Sequence, residues 1–75
     1  MAETAEKQTI SVRVNGEQRT VESECSIAAM LRAIGLDALK IAVERNLEIV
    51  PRSTFEEVKV RDGDAFEIVH FVGGG

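Results

Sequence analysis

The sequence predicts an α+β domain in which a mixed β-sheet packs over one main helix. Three features carry that prediction. A period-two strand from Thr9 runs into Asn15-Gly16 and a second strand. An apolar stripe recurs at helical spacing from Ile27 to Ile34, and an apolar strand, Ala65 to Val72, leads into Gly73-Gly74-Gly75. One sheet over one helix is about what 75 residues can build. A domain of that size buries only about 60% of the surface its unfolded chain exposes.

Residues 1–8 show no periodicity and are expected to form a disordered leader, with the folded domain over 9–72 and a flexible glycine tail over 73–75. In the first strand Ile10, Val12 and Val14 alternate with Ser11, Arg13 and Asn15, which marks a half-buried strand. Asn15-Gly16 readily takes the positive φ angles of a tight hairpin turn. The returning strand, Glu17 to Glu22, is polar, with Val21 its clearest inward residue. Ser26 is placed to cap the helix, and Gly35 fits a left-handed end with Leu36 folded back over the last turn. Lys40 to Glu44 is the third strand, and Arg45-Asn46-Leu47 turns the chain. Glu48 to Val50 returns as a short edge strand, stopped by Pro51, which lacks a backbone donor. Ser53 to Glu57 reads as one helical turn capped by Ser53 or Thr54, and Asp62-Gly63-Asp64 as a turn before the last strand. The apolar phases place Ile10, Val12, Val14, Val21, Ile27, Leu31, Ile34, Ile41, Val43, Phe66 and Ile68 in one core.

Composition narrows the function. The formal net charge is −4 and no run of Lys or Arg is present, so the chain lacks the positive patch that binds a phosphate backbone. No apolar stretch approaches the roughly 20 residues that span a bilayer, and the polar N-terminus lacks the apolar run of a signal peptide. A cytoplasmic monomer is the expectation. Cys25 is the single cysteine and His70 the single histidine, which leaves neither an internal disulfide nor a thiolate or multi-histidine metal site. Cys25 is expected to be a packed thiol, though a nearby helix N-terminus would favour its thiolate slightly. His70 is expected at the surface or packed on a strand. No Ser-His-Asp arrangement and no phosphate loop is evident, so the expected role is that of a protein co-substrate and not an enzyme.

The tail is the unusual feature. Gly73, Gly74 and Gly75 offer no side chain to bury or to bond and carry the largest backbone entropy. A frayed end would look the same, and the tail alone leaves that reading open. As a reactive arm it makes chemical sense, because a chain without Cβ atoms threads a channel that others cannot. The free carboxylate of Gly75 can attack a nucleotide α-phosphate to form an acyl-adenylate. A sulfur nucleophile would then displace AMP and leave a thiocarboxylate. Phe66 and Ile68 share a phase, so Val69 and Phe71 should face away from the helix and, with Val72, supply a partner-docking surface around the tail.

The stretch Ala42-Val43-Glu44-Arg45-Asn46-Leu47-Glu48-Ile49-Val50-Pro51-Arg52-Ser53 resembles the ThiS family of thiamine-biosynthesis sulfur carriers. So do Asp62-Gly63-Asp64, Glu67-Ile68-Val69 and the end Phe71-Val72-Gly73-Gly74-Gly75. The likeness runs from about Ile10 to Gly75. It implies a ubiquitin-like β-grasp fold, with no bound cofactor. It further implies an adenylating enzyme, of the kind that activates ubiquitin-like proteins, that spends ATP on the Gly75 carboxylate. A persulfide enzyme would donate the sulfur, and a thiazole synthase would receive it. The chain departs from the family in residues 1–9, which precede the usual start, and in Leu47, where such carriers often have Gly. Two alternatives remain: the small subunit of molybdopterin synthase, which also ends in two glycines, and a non-reactive ubiquitin-like interaction domain.

Overall fold

The structure, a computed structural model, describes residues 8–71. Residues 1–7 of the leader expected over 1–8, Val72 and the glycine tail lie outside the described residues. The described chain forms a sheet of five strands: β1 Thr9–Val14, β2 Glu17–Glu22, β3 Ile41–Arg45, β4 Glu48–Ile49 and β5 Ala65–His70. Their order across the sheet is β2-β1-β5-β3-β4. β5 runs parallel to β1 and antiparallel to β3, while both hairpins are antiparallel. One helix, α1 Ile27–Ile34, packs on one face. This is the ubiquitin-like β-grasp arrangement.

Each end of α1 is closed by the residues expected to close it. Ser26 Oγ accepts from Ala29 N at 3.0 Å. The N–H groups of Ile27 and Ala28 donate to the carbonyls of Val58 and Phe55, both at 2.9 Å. The first-turn donors that helix geometry leaves unpaired are thus satisfied by protein. At the other end Gly35 sits at φ 94°, where a Cβ would be strained, and Leu36 N returns to the Leu31 carbonyl.

β5 is held between two hairpin turns, each led by an asparagine. Asn15 and Asn46 both have φ 52°. Where β1 turns away, the Asn15 side chain continues its ladder: Oδ1 accepts from Ile68 N at 2.7 Å and Nδ2 donates to the Ile68 carbonyl at 3.1 Å. On the other flank Asn46 Oδ1 accepts from Ala65 N at 3.0 Å. Beside it Asp64, 6% exposed, accepts from Arg45 Nε, Asn46 Nδ2 and the Arg61 N–H.

The core lies between α1 and the sheet, with Val12, Val14, Ile27, Leu31, Ile41, Val43, Phe66 and Ile68 buried as expected. Ile10, Val21 and Ile34 pack against it only in part. Phe55 and Val60, absent from the expected core, are buried in it. The helical turn expected over Ser53 to Glu57 is instead a 3-10 turn over Arg52–Thr54, and neither Ser53 nor Thr54 caps it. Pro51 has already fixed the start of the turn, and Thr54 Oγ1 donates back to the Pro51 carbonyl at 2.7 Å. The shorter turn swings Phe55 inward. A second 3-10 turn, Ala38–Lys40, is capped by Asp37 Oδ1 and moves the start of β3 to Ile41. β5 ends at His70, short of the expected Val72.

Leu47 adopts φ 74° at the tip of the β3–β4 hairpin and is 87% exposed. The left-handed region suits glycine or asparagine and penalises a branched side chain. Leu47→Gly should therefore raise stability by about 1 kcal/mol, the relieved strain less the added chain entropy. Urea melts measure it. A loss of stability would show that the leucine side chain contributes more than it costs.

Candidate functional site

The candidate site is the place where the chain leaves β5 for the tail. β5 runs antiparallel to β3 in the register Ala42↔Val69 and Ile41↔His70, and Phe71 N continues the ladder to the Lys40 carbonyl at 3.0 Å. Strand alternation turns Phe66 and Ile68 into the core, and the opposite phase stands on the helix-free face. Val69 is 61% exposed and Phe71 54% exposed, as the sequence pattern predicts.

These two residues are not alone. Ala42, paired with Val69, is exposed on the same face, and Ile49 shares that face through its pairing with Glu44. Ile49 is 76% exposed, and Leu39, in the turn that leads to Lys40, is 74% exposed. Exposed apolar residues grouped on one side of a sheet are more informative than the same residues scattered singly. Sequence reasoning missed Leu39 and Ile49, because each sits in an element too short to show a phase. Gly73, Gly74 and Gly75, which the sequence reading made the reactive arm, and Val72, assigned to the docking surface, follow Phe71 outside the described residues.

Arg52 marks the rim of this region. Its Nε donates to the Ala38 carbonyl and an Nη to the Ile41 carbonyl, both at 2.9 Å. Its guanidinium carbon lies 5.9 Å from the centroid of the Phe71 ring, within cation–π range.

The remaining chemistry is quiet. Cys25 is half-buried, and its thiol is pushed up in pKa, first by burial and then by the neighbouring Glu22 carboxylate. Burial thus outweighs the slight thiolate preference expected from the helix end. His70 is exposed. Two open clefts of about 240 and 170 Å³ lie along β1 and the segment from Lys59 to Asp64, and neither includes a residue of the tail's exit. Among the described residues no group of three His, Cys, Asp or Glu side chains is placed to hold a metal ion. No described helix is long and apolar enough to cross a membrane.

Comparison with known proteins agrees with this geometry. The sequence profile of the ThiS family matches residues 12–75. The sulfur carrier protein ThiS of Bacillus subtilis is 44% identical over 50 residues, covering 67% of this chain and 76% of that protein. A thiazole synthase of Paramagnetospirillum magneticum is 52% identical over 62 residues, 83% of this chain. The chain spans 19% of that protein's length. The crystal structure of the thiamine biosynthesis protein ThiS from Geobacter metallireducens superimposes with a TM-score of 0.75 at 35% identity. That superposition covers 88% of this chain and 100% of the other.

Proposed function

The chain belongs to the ThiS family, the sulfur carriers of thiamine biosynthesis, and on that premise we propose that its C-terminal glycine carries the sulfur. The observation that supports this reading is that the family match spans residues 12–75, from within β1 to Gly75. The tail is thus matched together with the fold that presents it.

In the proposed reaction a Gly75 carboxylate oxygen attacks the α-phosphate of ATP in a partner adenylating enzyme, and pyrophosphate leaves. The terminal sulfur of a persulfide then attacks the acyl-adenylate carbon and AMP departs. A second thiol reduces the resulting acyl disulfide, which frees the thiocarboxylate and leaves a disulfide behind. The likeness to part of a thiazole synthase supports such an enzyme as the acceptor of the sulfur. It also favours the thiamine reading over the molybdopterin alternative. The protein's own part is presentation. A fully extended three-residue tail reaches only about 10 Å, so the partner must close on the domain at the tail's exit. Val69, Phe71 and Val72 are the proposed docking surface, with Ala42 and Ile49 beside Val69.

ATP–pyrophosphate exchange with an adenylating enzyme tests the proposal. The wild-type chain should support exchange. Val69→Glu should raise KM about tenfold or more, as loss of a central apolar contact does. Its melting temperature should stay near wild type, because Val69 points away from the core. A collapse in stability would place Val69 in the packing, and an inactive wild-type chain would remove the carrier reading.

A further inference from the structure

We propose that Arg52 is a positioning residue that sets the direction in which the tail leaves the sheet; the inference rests on the reading of Gly75 as the working group. Glycine residues carry no directional information of their own. Direction must come from anchored residues that precede the glycines, and Phe71, two positions before Gly73, is one that is bonded to the sheet.

Phe71 is held in two ways, and Arg52 serves both. The Phe71 N–H donates to the Lys40 carbonyl at 3.0 Å. Arg52 donates to the carbonyls of Ala38, two residues before Lys40, and Ile41, just after it, and so braces the strip of backbone that accepts Phe71. The same guanidinium lies 5.9 Å from the Phe71 ring centroid, which orients the side chain as well. An arginine kept only for solubility would not need three partners on three segments. Lysine is a poor substitute, since a compact ammonium lacks the planar fork that reaches two carbonyls while it faces the ring. Pro51 adds to the arrangement by fixing the backbone at φ −61° immediately before Arg52.

The consequence falls on turnover more than on binding. Val69, Ala42 and Ile49 remain to dock the partner, while a misdirected tail leaves the carboxylate short of near-attack geometry. A displacement of about 1 Å in such a reaction can cost about 100-fold in rate.

The experiment compares Arg52→Lys, Phe71→Leu and the double variant in ATP–pyrophosphate exchange. Arg52→Lys should lower kcat about tenfold while KM changes less than about threefold. Phe71→Leu, which keeps an apolar contact but removes the ring, should also lower kcat. The double variant should be no worse than the more impaired single variant, because both remove one coupling. In the free protein, Arg52→Lys should speed amide hydrogen exchange at Phe71 about tenfold and leave β1 unchanged, a readout that needs no enzyme. Full kcat in Arg52→Lys, or effects that multiply in the double variant, would overturn the inference and leave the carrier reading standing. A wild-type chain without exchange would overturn both.

Discussion

Replacing Asp64 with alanine should cost the fold about 3–5 kcal/mol, the usual effect of removing one partner from a buried ion pair. The Asp64 side chain is 8% exposed and that of Arg45 24% exposed, so water cannot readily replace the lost carboxylate. Three donors would be stranded at once. Arg45 Nε and the Arg61 N–H each lie 2.9 Å from Oδ2, and Asn46 Nδ2 lies 3.2 Å from Oδ1. They join the β3–β4 hairpin to the loop that feeds β5, so the loss would loosen the strand that bears the tail. A domain of this length has a total stability of only about 4–11 kcal/mol, so much of the population could unfold. Chemical denaturation is the measurement. Asp64→Asn separates charge from shape: it keeps the volume but turns an amide NH2 toward one of the donors. A near-zero change for Asp64→Ala would mean that the cluster contributes nothing net.

The second large effect is on activity with the fold left intact. Gly74→Leu should lower adenylation by on the order of 100-fold or more, because a misplaced reacting group loses near-attack geometry. The melting temperature should not move, since Gly74 follows the folded strand in sequence and belongs to no part of the predicted core. Deleting Gly75 should act in the same way, by leaving the new carboxylate one residue short. Adding residues beyond Gly75 should act likewise, by turning the Gly75 carboxylate into a peptide bond and moving the free carboxylate out of place. A ubiquitin-like domain that only binds partners would tolerate all three changes. Exchange at wild-type rates from the Gly75 deletion would therefore contradict the carrier mechanism.

Much of the fold was legible in the sequence because its signals are local. Asn15-Gly16 between two alternating segments, Ser26 before an apolar stripe and Gly35 after it each name their own geometry. The phase of Val69 and Phe71 was legible for the same reason, since Phe66 and Ile68 settle which side is the core. What was hidden depends on contacts between distant segments. Phe55 is buried at the end of a 3-10 turn that follows Pro51, and its carbonyl accepts from Ala28 N on α1. Asp64 looked like an ordinary turn residue, and its partners Arg45 and Asn46 lie in another hairpin. Arg52 stood inside a recognised stretch, yet its bonds to Ala38 and Ile41 depend on a 3-10 turn that no periodicity announces.

Intact-mass spectrometry is the most direct test of the claim that the Gly75 carboxylate carries sulfur. The chain is incubated with ATP, a persulfide sulfur source, a thiol reductant and an adenylating enzyme that acts on it. Conversion of carboxylate to thiocarboxylate should raise the mass by about 16 Da, the difference between a sulfur and an oxygen atom. The gain should require ATP and should map to the C-terminal peptide. An unchanged mass beside a positive control carrier, or a gain that maps to Cys25, would contradict the account.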